Sequence, residues 1–374
     1  MLDGQEYRSE TIAAPAKAVL SAETLTCTGQ NVRPTVEAVY DTEGKRIEDS
    51  NYTVSYSSNS RSPGTYIVKI SLKGDHYTGS IAKTYKIAVG KVSGLKNSAQ
   101  STSSIKVSWA QQRYATGYAL YASDSKYDGY RRIATIKTNR TTSYTYSRLK
   151  TGRNYYFKIR AYKTIGGKNY YSLCSSVLIS TTKPGKVTGL KAGSQSTSQI
   201  KLSWKKVSGA SGYQLYRYNS AKNKFEKVAT VKGTSYINKK LKSGTKYQYK
   251  VRAYRKSGNL TVTGRCSSVL TSITKPGKVT GLKASSRSSS QIKLSWKKVR
   301  GASGYRIYRY SSAKKKYVRT AVLNSSKTAY TDKKLKSGKK YKYKIKAYKK
   351  TGNTTLLGSS SAVSGKTKRK STRK

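Results

Sequence analysis

Tyr341-Lys342-Tyr343-Lys344-Ile345-Lys346-Ala347-Tyr348 alternates its side chains with a period of two. On a pleated strand, Tyr341, Tyr343, Ile345 and Ala347 fall on one face, and Lys342, Lys344, Lys346 and Tyr348 on the other. A helix, turning about 100° per residue, would spread the three lysines around its circumference, so the stretch reads as a half-buried strand. The segment ending at Trp296 does the same, with Ile292, Leu294 and Trp296 on one face and Lys293 and Ser295 opposite. No segment carries a convincing apolar stripe at 3.6 residues. Short alternating runs punctuated by Gly, Ser and Asn predict an all-β chain of tandem antiparallel β-sandwiches.

The same landmarks recur in order. Gly-Lys-Val-x-Gly-Leu-Lys begins at Gly90, Gly185 and Gly277, and Ile-Lys-(Val/Leu)-Ser-Trp ends at the expected core residues Trp109, Trp204 and Trp296. A Gly-Tyr pair opens an alternating run at Gly117-Tyr118, Gly212-Tyr213 and Gly304-Tyr305. Leu-Lys-(Thr/Ser)-Gly-x-x-Tyr places Tyr155, Tyr247 and Tyr341, and each copy continues to an Ala-Tyr pair at Tyr162, Tyr254 and Tyr348. Three homologous units of about 92 residues follow, joined by short Lys-Pro linkers at Lys183-Pro184 and Lys275-Pro276.

These motifs resemble fibronectin type III domains, most closely the tandem form on secreted proteins of Gram-positive bacteria. The resemblance covers 90–365. It implies seven-stranded sandwiches that serve as spacers or binding modules, and it implies that Tyr155, Tyr247 and Tyr341 form the tyrosine corner, whose hydroxyl bonds to nearby backbone. Residues 18–89 carry different punctuation: Asn51-Tyr52-Thr53-Val54-Ser55-Tyr56, Pro63-Gly64-Thr65-Tyr66 and Lys73-Gly74-Asp75-His76-Tyr77-Thr78-Gly79. Their order resembles small bacterial immunoglobulin-like β-domains. The expected organisation is a linker or truncated end over 1–17, an immunoglobulin-like domain over 18–89, repeats over 90–183, 184–275 and 276–365, and a disordered basic tail over 366–374.

Charge is distributed very unevenly over the 374 residues. Residues 1–89 hold ten basic and ten acidic side chains, whereas 90–374 hold 67 basic residues and four acids, Asp124, Asp128, Glu226 and Asp332, a net of +63. By repeat the net charge is +15, +19 and, with the tail, +29. Solubility alone needs far less, so the repeats are expected to meet a polyanion. No run approaches the roughly 20 apolar residues of a membrane-spanning helix.

The same composition argues against catalysis. Glycoside hydrolysis needs two opposed carboxylates, and the second and third repeats own one each. His76 beside Asp75 is the lone His–carboxylate neighbour pair, and it falls on an expected turn, so no catalytic residue is assigned. Cys27, Cys174 and Cys266 each stand alone in their domain, which excludes a disulfide within a sandwich. They are expected as buried or semi-buried small residues, and no cofactor or metal is expected.

The candidate site is a surface. The resemblance to fibronectin type III domains implies that the strand beginning at Gly304 lies beside the one beginning at Tyr341, which puts Arg306, Tyr308 and Tyr310 next to Lys342, Lys344, Lys346 and Tyr348. The second repeat offers Tyr216 and Tyr218 with Lys250, Arg252 and Tyr254, and the first offers Tyr121 with Lys158, Arg160 and Tyr162. Rings interleaved with cations suit sugars or bases bearing phosphate, carboxylate or sulfate, while the same pattern also satisfies β-propensity on a solvated face. The expected function is a non-catalytic extracellular or cell-surface spacer or adhesion protein. It would be a monomeric, extended string held to anionic cell-wall polymer or polysaccharide. The alternatives are an extracellular nucleic-acid-binding protein, or accessory modules of a larger secreted enzyme encoded upstream. No secretory signal is visible in Met1–Lys17, and the chain is expected to be the C-terminal part of a longer exported protein or the product of a misplaced start.

Overall fold

A computed structural model describes residues 13–370, and apart from one 3-10 turn at Asp49–Asn51 its regular structure is β. The first seven strands are β1 (Pro15–Leu20), β2 (Thr24–Thr26), β3 (Val36–Asp41), β4 (Arg46–Ile47), β5 (Tyr52–Tyr56), β6 (Gly64–Leu72) and β7 (Ser80–Ala88). They make two sheets, β1-β3-β4 and β2-β7-β6-β5, with β2 running parallel to β7. Val39, Ile47, Val68, Ile70 and Tyr85 are buried between them. The expected linker ends earlier than 17, since β1 already starts at Pro15; the rest of that stretch, through residue 12, lies outside the described residues.

The first repeat contains β8 (Lys96–Gln100), β9 (Ile105–Ser108), β10 (Gly117–Ser123), β11 (Arg131–Ile136), β12 (Ser143–Tyr146), β13 (Asn154–Ile165), β14 (Lys168–Tyr171) and β15 (Leu178–Thr181). The second contains β16 (Lys191–Gln195), β17 (Ile200–Ser203), β18 (Gly212–Asn219), β19 (Lys224–Val231), β20 (Ser235–Asn238), β21 (Lys246–Ser257), β22 (Leu260–Thr263) and β23 (Leu270–Ile273). The third contains β24 (Lys283–Ser288), β25 (Gln291–Ser295), β26 (Gly304–Ser311), β27 (Lys316–Asn324), β28 (Ala329–Asp332), β29 (Lys340–Thr351), β30 (Thr354–Leu357) and β31 (Ser361–Lys366).

Each repeat builds the same two sheets. In the third they are β24-β25-β28 and β27-β26-β29-β30, with β31 also on β29. The last strand position is therefore broken into two pieces. In the first repeat the break is bridged by serines, with Ser172 Oγ accepting from the Ala161 N–H at 3.0 Å and Ser175 Oγ from the Ile159 N–H at 3.1 Å. Side-chain oxygens thus replace the ladder acceptors that the break removes. The chain divides into two compact units between Thr182 and Lys183, each holding two of these two-sheet structures.

The alternation at Tyr341–Tyr348 sorts as expected: Tyr343, Ile345 and Ala347 are fully buried, while Lys342 is exposed and Lys344, Lys346 and Tyr348 are half-buried. Trp296 packs edge-on against Tyr305 at 5.2 Å, and Trp204–Tyr213 and Trp109–Tyr118 repeat the contact at 5.4 Å. The opening glycine of each Gly-Tyr pair is sterically required. A Cβ on Gly117, Gly212 or Gly304 would come 2.8 Å from the hydroxyl of Tyr162, Tyr254 or Tyr348 and would also run into a carbonyl of the neighbouring strand. These glycine–tyrosine partners face each other across the ladder.

The tyrosine corner is present in all three repeats and is doubled by a threonine. Tyr155, Tyr247 and Tyr341 accept from the backbone N–H of Lys150, Lys242 and Lys336 at 2.9, 2.8 and 2.8 Å. Thr182, Thr274 and Thr367 then donate to the carbonyls of those same lysines at 2.7, 2.6 and 2.7 Å. Both polar groups of one backbone residue are thereby tied down at the crossing between sheets. Thr367 is buried, and Lys368 N–H donates to Ser288 O at 3.1 Å and Lys370 N–H to Ser337 Oγ at 3.0 Å. This corrects the expected disordered tail: β31 ends at Lys366, and 367–370 run on as irregular chain held by the hydrogen bonds of Thr367, Lys368 and Lys370, while 371–374 lie outside the described residues.

Replacing Tyr341 by Phe is expected to remove about 1 kcal/mol from the corner. Hydrogen exchange of the peptide spanning Lys336–Tyr341 in the full chain should accelerate about five-fold. T367V leaves the Lys336 carbonyl and the Lys339 N–H without their shared partner and should accelerate it further. Replacing Gly304 by Val should destabilise the third repeat by about 1–3 kcal/mol through overpacking against Tyr348, read as a lower thermal midpoint of that repeat.

Candidate functional site

A register shift positions the site. The third-strand ladder slips by one residue between Leu120 and Tyr121 in the first repeat, between Leu215 and Tyr216 in the second and between Ile307 and Tyr308 in the third. The bulge lets β11, β19 and β27 follow the sheet twist while turning a cation outward. Tyr121 then stands in register between Arg132 and Lys158, Tyr216 between Lys227 and Lys250, and Tyr308 between Arg319 and Lys344. Each sheet thus carries a cation–tyrosine–cation row across three strands. Cross-strand neighbours on one face lie about 5 Å apart, near enough for ring and ammonium to meet.

The rows extend into ring–cation contacts. Lys158, Lys250 and Lys344 lie over the rings of Tyr130, Phe225 and Tyr317 at 4.0, 4.3 and 4.1 Å. Arg160 sits between Tyr121 at 5.3 Å and Tyr171 at 4.1 Å, and its guanidinium donates to the Tyr121 hydroxyl at 2.7 and 3.0 Å. Arg252 lies over Tyr216 at 5.1 Å while Nε donates to Gln214 Oε1 at 2.9 Å. In the third repeat Lys342 lies 5.9 Å from the Tyr310 ring and Arg306 5.6 Å from the Tyr348 ring. Tyr218 stacks edge-on with Phe225 and hydrogen-bonds Asn223.

Of the residues singled out from the sequence, the strand pairings bring Tyr121 to Lys158, Gly117 to Tyr162, Tyr216 to Lys250, Arg306 to Lys346 and Tyr308 to Lys344. Tyr162 is only 4% exposed, with its ring over Gly117 and its hydroxyl donating to Ile136 O at 3.3 Å, so it packs the sheet rather than offering a face to a ligand. Burial pushes its pKa up, as it does that of Tyr130. The aromatic residues Tyr130, Phe225, Tyr317 and Tyr171 and the cations Arg132, Lys227 and Arg319 escaped sequence reading. Along β27 the outward residues are Tyr317 and Arg319 before the bulge and Val322 after it, so the odd–even phase reverses within one strand. A strict period of two cannot follow that.

Beneath the face, one inward position differs among repeats. The first has Ala122, Tyr146 and Phe157 there, with Tyr146 edge-on to Phe157 at 6.3 Å. The second has Arg217 donating to Asn238 at 3.2 Å, with Tyr249 alongside. The third has Arg309 paired with Asp332 at 2.9 Å while the Tyr343 hydroxyl donates to the same carboxylate at 2.8 Å. Burial opposes the charge on Arg309, but the adjoining carboxylate outweighs it and the guanidinium pKa is raised. Burial, and then the bond to Asp332, pushes the Tyr343 hydroxyl far up. Asp332 is 4% exposed, so the only acid of the third repeat is spent internally. In the second repeat Glu226 lies in the β18–β19 hairpin, held below its ordinary pKa by Asn219 and Lys222.

The cysteines are unpaired: Cys27 is buried, Cys266 half-buried and Cys174 exposed. The exposed Cys174 corrects the expectation of a buried residue, because the broken last strand turns residues 173–174 outward between the two bridging serines. His76 lies in the β6–β7 connection, where its carbonyl accepts from the Ala13 N–H. Among the described residues no group of three or more His, Cys, Asp or Glu side chains could hold a metal ion, and no helix is long and apolar enough to cross a membrane.

The family model of the fibronectin type III domain matches residues 90–176, 185–265 and 277–363. Exoglucanase B of Cellulomonas fimi is 26% identical over 263 residues, covering 64% of this chain and 23% of that protein. Chitinase A1 of Niallia circulans is 28% identical over 223 residues, covering 55% and 30%. A Kelch domain-containing protein of Saccharolobus solfataricus is 29% identical over 160 residues, covering 42% and 21%, so the chain spans less than a third of the length of these curated relatives. Among solved structures, a two-domain fibronectin type III segment of chicken tenascin is 18% identical with a TM-score of 0.34, covering 48% of this chain and 98% of that one. Through three tandem copies spanning most of its length, the chain belongs to the fibronectin type III domain family.

Proposed function

We propose that the chain is a non-catalytic extracellular spacer or adhesion module. Its basic, tyrosine-bearing sheets would hold an anionic cell-wall polymer or polysaccharide. The observation that carries the proposal is the row of cation, tyrosine and cation built three times over, at Arg132–Tyr121–Lys158, Lys227–Tyr216–Lys250 and Arg319–Tyr308–Lys344. A half-buried ring between two cations presents a sugar-sized apolar surface beside charge for phosphate, sulfate or carboxylate. Repetition along a monomeric string suits a polymeric ligand, since each further contact is made at high effective concentration. Relatives named exoglucanase and chitinase carry matching segments, which supports a setting among polysaccharides. Their much greater length favours a second reading, in which these repeats, with the immunoglobulin-like first domain, are accessory modules of a larger secreted enzyme.

The test is a binding panel of wall teichoic acid, an anionic polysaccharide and duplex DNA on the full chain across salt concentrations. All three are expected to bind at low salt; the anionic glycan or wall polymer should keep its affinity best as salt rises, because ring contacts are not screened. DNA should weaken steeply and regardless of sequence. Replacing Tyr308, Tyr216 and Tyr121 together by Ala should weaken glycan binding by about five-fold or more and leave the salt slope unchanged. Exchanging Lys344, Lys250 and Lys158 for Gln should flatten that slope. If DNA outcompetes every glycan at physiological salt, the nucleic-acid alternative takes over, and if nothing binds at low salt the polyanion proposal fails.

A further inference from the structure

We propose that the third repeat alone carries a discrete phosphate-binding cleft at the edge of its sandwich, where the β26–β27 hairpin meets the β28–β29 turn. It takes a chain of phosphoryl groups such as a polyphosphate or an oligomeric phosphodiester. The cleft has a volume of about 740 Å³, and six lysines, Lys314, Lys334, Lys336, Lys339, Lys340 and Lys342, line it. That volume is in the ordinary range for small-molecule sites. Ser311, Ser312, Thr320, Tyr310 and Tyr341 are also among its lining residues.

Three observations set the cleft apart from a general excess of lysine. The first is its counterpart in the first repeat, a recess of only about 110 Å³ that includes Asp124 beside Arg131. In the second repeat the corresponding hairpin carries Glu226, which pairs with Lys222 at 3.0 Å and accepts from Asn219. The β26–β27 hairpin of the third repeat, Ser311 to Lys316, has no carboxylate, and the repeat's single acid lies buried against Arg309 below the cleft. Of the three corresponding hairpins among the described residues, this is the one without an acid.

The second observation is backbone conformation. Lys315 in the β26–β27 hairpin holds φ of +48°, whereas Lys334 at +56° is matched by Lys240 at +56° and Arg148 at +60° and does not distinguish this repeat. That region favours Gly and Asn, and the hairpin of the second repeat has Asn223 there at +49°. A lysine in its place gives up local preference for a cation at the rim, a trade that clusters at ligand-binding sites.

The third is donor chemistry. Ammonium groups converging from two turns are point donors that suit tetrahedral oxyanions with several charges. A planar carboxylate would instead favour an arginine fork, and the one arginine in the lining, Arg309, is already engaged by Asp332. The inference does not require the sheet faces to bind anything.

Tripolyphosphate is the probe, titrated into the full chain at about 0.15 M salt, where charges beyond about 8 Å are screened. K314Q/K336Q/K340Q removes three cleft charges. K297Q/K298Q/K350Q removes three exposed charges of the same repeat outside the lining. The cleft variant should lose about ten-fold or more in affinity, the control variant less than two-fold. An oligomer of uronic acid, carrying carboxylates, should bind the wild-type chain more weakly than tripolyphosphate. Hydrogen exchange of the unmutated chain supplies a readout free of folding defects: tripolyphosphate should protect peptides over 311–316 and 333–340 and leave the matching turns of the second repeat unchanged. Equal losses in the two variants, no binding at this salt, equal affinity for the uronic acid, or protection spread over all repeats would each overturn the proposal. Loss of sheet-face glycan binding with tripolyphosphate binding intact would sink the adhesion reading and leave the cleft standing.

Discussion

Everything on the basic faces depends on one antiparallel pairing, that of Gly304–Ser311 with Lys340–Thr351 and its two counterparts. Alternate residues of this pair fill the core, and the rest become the outer surface, so a slip by one residue would bury lysines and expose Ile345. Two contacts prevent the slip. At one end Tyr348 covers a glycine that admits no Cβ, and at the other Tyr341 and Thr367 clamp the backbone of Lys336. A chain with net +63 can afford dense cationic strands because the inward set, Tyr343, Ile345 and Ala347, is wholly apolar but for a hydroxyl that Asp332 accepts.

On this constant frame the repeats differ by coupled exchanges. Replacing Phe157 of the first repeat by Tyr249 or Tyr343 adds a buried hydroxyl. The third repeat satisfies it with Asp332, which in turn needs Arg309. A buried charge left alone would be strongly destabilising, so the trio changes together. The consequence reaches the surface: with Asp332 paired internally, no acid is left to moderate the lysines above, whereas Asp124 and Glu226 remain at the corresponding edges of the earlier repeats. The rise in charge along the chain is thus also a change in where charge is compensated.

Much of this was legible in the sequence because period-two alternation and threefold recurrence report local rules. The strand from Tyr341 to Tyr348 and the repeated tryptophans follow from side chains alternating on a pleat and from recurrence, while the corner tyrosines and the neighbouring of the Gly304 and Tyr341 strands follow from the resemblance to fibronectin type III domains. Residues 366–370 differ from the expected disordered tail because lysine-rich composition says nothing of Thr367, whose hydroxyl donates to a backbone carbonyl 31 residues away. Cys174 is exposed rather than buried or semi-buried because the break in the last strand depends on serine oxygens accepting from a neighbouring strand.

Spacing and charge along the chain carry the fold class, the three repeats and the neutral first stretch, and the family resemblance adds which two strands lie at the centre of each basic sheet. Only the tertiary structure decided which cations flank each central tyrosine, that Tyr162 is packed away, and that six lysines from two turns converge on one cleft. The division has a physical cause. Which face a residue takes within a regular strand is a local property that the chain carries in its spacing. The bulge that reverses the phase of β27 and the approach of the turns at 311–316 and 333–340 are set by pairing between segments, which alternation within any one strand does not report.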